Sequence, residues 1–131
     1  MEEALRTVLL GTAPLTSLVE RRIGWGLRSQ GDPLPAVTLT LISSVAGLMM
    51  TGSSGWTRAR VQADVWGRTY KDARDAAREI AGRSGVLNGA RVTVERVRLR
   101  TFIQAQRTLD TRDAEGPLFR QSIDVTVWHD A

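Results

Sequence analysis

Between Thr57 and Trp66 the chain alternates without a break. Small or apolar side chains stand at Thr57, Ala59, Val61, Ala63 and Val65, and polar or bulky ones at Arg58, Arg60, Gln62, Asp64 and Trp66. Successive side chains of a strand point to opposite faces, so this pattern predicts one face in a core and the other open to solvent or a partner. From Thr69 the period becomes that of a helix running to Gly82. Tyr70, Ala73, Ala77 and Ile80 form its apolar stripe, Thr69 is placed to cap it, and Asp72 stands at its third position. The two alanines of this stripe let the helix lie close against the sheet.

The remaining segments extend this plan. Leu5, Val8 and Leu9 share one face of a helix over 2–10 that Gly11 ends, and Pro14 opens a second, short helix. Residues 23–27 are short and extended, and Gly31 to Pro35 is a connector rich in turn residues. Val37, Leu39 and Leu41 alternate as a strand, and residues 43–55 read as a long loop carrying Leu48, Met49 and Met50. Val92 and Val94 are in one phase and Val97 and Leu99 in the other, which predicts a bulge or sharp bend near Glu95. Phe102 to Leu109 continues as strand, Asp110 to Pro117 reads as a polar loop, and a last strand runs from Phe119 to Trp128 with Phe119, Ile123, Val125 and Val127 inward. The expected fold is α+β: one domain over 1–131, a mostly antiparallel sheet with helices packed on one face.

Composition narrows the function classes. The 131 residues include no cysteine, which excludes disulfides and thiolate metal sites. No apolar run approaches the ~20 residues that span a bilayer, so no membrane association is expected. The acidic start Glu2-Glu3 is unlike a secretory signal, and a cytoplasmic product is expected. The net charge of +4 has an address: residues 96–109 hold Arg96, Arg98, Arg100 and Arg107 and no acid. A basic segment on a neutral body can face a polyanion or an acidic protein, which keeps a nucleic-acid-binding module as the alternative function.

Candidate chemistry is sparse. His129 is the only histidine and lies near the chain end, where a general base is hard to hold in place; it reads as a surface or partly packed residue. Gly52-Ser-Ser-Gly55 lacks the lysine and helix of a phosphate loop, and Gly24-Trp25-Gly26 is too short for a dinucleotide fingerprint. Catalytic, cofactor and metal residues are therefore expected to be absent, and the protein is expected not to be an enzyme. The features left over are apolar: Trp25, Trp56 and Trp66 at strand ends or on a polar phase, and Leu48, Met49 and Met50 in a Gly/Ser-rich segment. Exposed apolar groups mark protein contacts, which favours an assembly component.

Three blocks carry a family resemblance. They are Ile23-Gly-Trp-Gly26 followed by Gln30-Gly-Asp-Pro-Leu-Pro35 and Val37-Thr-Leu39; Ala59-Arg-Val-Gln-Ala-Asp-Val-Trp-Gly67 followed by Thr69-Tyr70 and its alanine-rich helix; and Phe119 to His129. In this order and spacing the chain resembles the phage tail completion family of tail terminators, and it is similar to the equivalent component of gene-transfer-agent particles. The resemblance implies a tail-terminator-like fold and a structural virion protein assembled in the bacterial cytoplasm. Six copies would form a ring at the head-proximal end of the tail tube, in contact with tube protein and with the head's connector or stopper protein. DNA would pass through the channel without specific binding. No catalytic residue or cofactor is carried over. Within that picture Trp25, Leu34, Leu48, Met49, Met50 and Trp56 are the expected contacts with neighbours. Arg96, Arg98, Arg100 and Arg107 are expected to form intersubunit salt bridges or to face the lumen.

Overall fold

A computed structural model describes residues 1–27, 33–50, 52–113 and 116–130. Helices α1 (Glu2–Leu10) and α2 (Ala13–Val19) lead into β1 (Ile23–Trp25), then β2 (Ala36–Met49), β3 (Gly52–Gly67), α3 (Tyr70–Ala81), β4 (Arg91–Val94), β5 (Val97–Asp113) and β6 (Gly116–His129). The six strands make one sheet in the order β1-β2-β3-β6-β5-β4. Only the β1–β2 pair is parallel. The α+β architecture read from periodicity is the one observed. No helix among the described residues is long and apolar enough to cross a membrane.

The register explains which face is core. Leu39, Ala63 and Ile123 lie opposite one another across β2, β3 and β6, as do Leu41, Val61 and Val125. Helix α3 covers this face with Ala73, Ala76, Ala77 and Ile80, all fully buried, and Leu5, Leu9, Leu15 and Val19 of the first two helices complete the core. The Thr69 hydroxyl accepts from the Asp72 N–H at 3.1 Å, so the cap forms as expected. Tyr70 does not join the stripe: it is half exposed and meets Phe119 edge-on at 6.3 Å, and Ala76 takes the inward position instead.

Three other expectations change, and the sharp bend near Glu95 becomes specific. Residues 43–55 are not a loop, because β2 runs to Met49 and β3 starts at Gly52, so the two strands form a long hairpin. The polar stretch from Asp110 is likewise strand as far as Asp113, and β6 begins at Gly116. The phase slip at Glu95 is a two-residue hairpin turn: Glu95 and Arg96 both have positive φ, 47° and 73°, the conformation that matches strand twist in such turns. His129 is buried, at 8% exposure, because its strand lies between β3 and β5, opposite Thr57 and Leu99.

Candidate assembly surfaces

The face of the sheet away from the helices is an arginine–tryptophan lattice. Arg58, Trp128, Arg100 and Arg91 lie opposite one another across β3, β6, β5 and β4. Further along, Trp66, Arg120 and Leu109 make another row. The cations sit on the rings: Arg98 and Arg100 are 4.7 and 5.5 Å from the Trp56 ring centre, Arg58 is 5.9 Å from Trp128, and Arg120 is 5.0 Å from Trp66. Carboxylates neutralise part of the charge. Arg98 donates to Asp130 through both its guanidinium and its backbone N–H, Arg120 reaches the buried Asp64 at 3.1 Å, and Arg107 lies 3.9 Å from Asp124. The Arg98 side-chain hydrogen bond, assisted by its backbone N–H, holds the Asp130 carboxyl below the usual carboxylate range.

These contacts refine the basic-segment reading. Arg98 and Arg107 have carboxylate partners within their own chain, and among the described residues Arg100 is stacked on Trp56 rather than ion-paired. Arg96 belongs to the β4–β5 turn instead of the strand. The alternation around 96–109 shows no aromatic platform, yet the fold supplies one with the help of other strands: Trp56, Trp128 and Phe102 line a shallow cleft beside Arg100. Only the pairing register, which brings together residues far apart in sequence, reveals it.

The second surface is the distal half of the β2–β3 hairpin. From Leu41 to Met50 the arm has left the helix layer, and every residue of this stretch except Gly47 is exposed, whichever face it points to. Leu48 is 81% and Met50 107% exposed, with Leu41, Ile42, Val45 and Met49 also open. Leu48 and Met49 pair with Ser53 and Gly52 at the tip. Thus Leu48, Met49 and Met50 lie together, as expected, but on a projecting strand pair. Trp56 is on the same arm, turned toward the arginines of the open face.

Trp25 and Leu34 are elsewhere. Trp25 is partly buried against the core, and its indole N–H donates to the Glu2 carbonyl at 3.0 Å. Leu34 is half-buried beside Pro35 at the entry to β2. Most of the connector before it, 28–32, lies outside the described residues, as does Thr51 at the hairpin tip.

The family model for tail completion protein gp17 matches residues 3–130. The chain belongs to the tail completion protein family. It is therefore a structural protein of phage-type tails, and its place is the virion. A solved chain from the virion of a native gene transfer agent particle has the same fold: the TM-score is 0.69 at 18% identity, covering 100% of this chain and 95% of that one. No curated protein matches the chain. The three sequence blocks thus point to the family that is found.

Proposed function

We propose that six copies of the chain close into a ring at the head-proximal end of the tail tube, end tube growth, and present a docking surface for the head's connector. The observation that carries this is the arm. Leu41 to Met50 contains no charge and no proline, and it exposes apolar side chains on both of its faces. Single exposed leucines are ordinary, but a contiguous apolar projection marks a protein contact. A ring needs two different patches on each copy, related by a rotation that closes. The arm supplies one, with Trp56 on it, and Leu34, before the opposite end of β2, is assigned to a separate contact. The lattice of stacked and ion-paired arginines fits a lumen past which DNA slides, since a guanidinium already satisfied by a ring or carboxylate gains less from a phosphate.

Native mass spectrometry tests this reading with the purified chain alone and mixed with the tail tube protein. The expected species is a hexamer, free or seated on tube. A monomer under both conditions would sink it. The Trp56–Trp128–Phe102 cleft beside Arg100 favours a second reading, a single-strand nucleic-acid platform. Arg98→Gln with Arg100→Gln decides between them: unchanged DNA retention at rising salt is expected from the ring, and a steep loss from the platform.

A further inference from the structure

We infer that neighbouring copies join by strand addition, the free edge of β2 in one copy pairing antiparallel with the free edge of β5 in the next. This rests on the ring reading above and states which backbone makes it.

Both ends of the sheet order are only partly covered. Strand β1 pairs with Val37 to Leu39, and among the described residues nothing pairs with the outer edge of β2 beyond Thr40. Strand β4 pairs with Val97 to Arg100, and the Thr101 N–H still reaches the Ala90 carbonyl at 3.0 Å; from Phe102 to Asp113 the outer edge of β5 is likewise without a described partner. The direction of the unpaired groups follows from these bonds. The Leu39 carbonyl accepts from the Gly26 N–H, so Leu39 faces outward, and the register carried past the bulge at Ile42 leaves Ser44 and Ala46 facing outward too. Thr101 faces outward in the same way, and past the bulge near Gln104 so do Gln106, Thr108 and Asp110. These are rows of donors and acceptors for another strand.

Three features select a sister copy as the occupant. First, the strands alternate in direction from β2 through β3 and β6 to β5, so β2 and β5 run oppositely. A rotation about an axis roughly along the strands preserves those directions, so β2 meets the next copy's β5 antiparallel, the better-bonded arrangement. Second, the free stretches are offset along the sheet. That of β2 runs from the level of Asp124 past His129, and that of β5 lies between the levels of Gly116 and Thr126. Joining them staggers neighbours, as closing a sheet into a barrel requires. Third, edges that must stay alone carry charge, proline or a cover. Among the described residues the β2 edge beyond Thr40 has none of these, whereas the β5 edge carries Arg107, Asp110 and Arg112. Two copies of the neutral edge could pair with each other, but that contact closes at two and leaves β5 bare.

Disulfide trapping tests the pairing, because the chain has no cysteine of its own. Opposed positions on paired strands lie within disulfide reach. Ser44→Cys is combined in one chain with Gln106→Cys, Thr108→Cys or Asp110→Cys and oxidised under conditions where the wild type forms its ring. At least one double variant is expected to give a covalent ladder ending in a closed ring, while each single variant stays uncrosslinked. A ring seen by native mass with no crosslink from any double variant overturns the pairing and leaves the ring reading standing. Dimers from Ser44→Cys alone overturn it in favour of self-pairing. A wild-type chain that stays monomeric alone and with tube protein removes the ring reading and the pairing together. As a second measurement, Thr108→Pro deletes one outward N–H and no backbone bond within the chain, at the loss of the side-chain bond that Gln121 donates to Thr108. It is expected to keep the melting temperature within a few degrees and lower ring formation roughly tenfold or more. An unchanged ring overturns the inference.

Discussion

Replacing Leu48 and Met50 together by aspartate separates assembly from folding. Both side chains are almost wholly exposed in the isolated copy, at 81% and 107%. Exposed substitutions of this kind move stability by less than about 0.5 kcal/mol, so the thermal melt of the monomer should not shift. Fully burying a leucine or methionine against a partner contributes about 1.5–3 kcal/mol, or roughly 3–6 kcal/mol for the pair. Ordering two flexible side chains costs about 0.5–1.5 kcal/mol each, which, low end against low end and high against high, leaves a net of about 2–3 kcal/mol. At ~1.4 kcal/mol per decade this is a loss of affinity of roughly 30- to 140-fold. Sedimentation velocity across a concentration series, with and without tube protein, reads the assembly midpoint. An unmoved midpoint would refute the contact assignment. A melting temperature lowered by many degrees would refute its premise, since it would show the tip covered by its own chain.

Other perturbations read other layers. Ile80→Ala removes a fully buried side chain from the helix–sheet interface and should cost about 2–5 kcal/mol in urea unfolding. Gly47→Ala would set a Cβ against the Ser54 hydroxyl and 2.9 Å from the Trp56 carbonyl; the arm must splay, so assembly should weaken while the monomer melt changes little. Asp130→Asn removes the carboxylate that Arg98 holds below its ordinary range. That depressed group stabilises the fold above the normal carboxylate range and stops doing so as pH falls through its lowered value. The gap in melting temperature between wild type and variant should therefore be open at neutral pH and close on acidification; a gap that widens in acid would contradict the pairing.

Legibility followed burial. Strand β3 and helix α3 could be read because each has one buried and one open side, which imprints a period on the sequence. The arm carries no such imprint. Where both faces are exposed nothing enforces alternation, and the register slips between Leu41 and Ser43 and again between Ala46 and Leu48. The same holds for β5 beyond Leu109, whose polar side chains resemble a loop although the backbone is paired with β6. The turn at Glu95 and Arg96 lacks the glycine or asparagine that would announce it. The parallel pairing of β1 and the stacking of Arg98 and Arg100 on Trp56 depend on long-range register, which no local pattern encodes. Leu48, Met49 and Met50 were nevertheless visible as a candidate contact, because their chemistry does not suit an isolated surface.

The residues proposed for assembly are separate from those that hold the fold. No described residue between Thr40 and Arg58, or between Gln104 and Ser122, belongs to the apolar cluster that holds the helices to the sheet. The free edge of β2 lies within the first stretch, and that of β5 lies within the second except for Phe102 to Gln104, where Ile103 packs against the core. Cohesion of the body therefore neither requires the arm nor constrains its composition, and the arm can stay neutral and apolar at no cost to the core. That freedom carries a hazard: a flat, uncharged edge invites pairing with any strand it meets. The proposed heterologous closure would answer the hazard, because in such a ring every β2 edge would be occupied by a β5 edge and none would remain to recruit further copies. On that proposal, the property that would make a lone copy prone to aggregate is the one that would make a finite ring the stable end point.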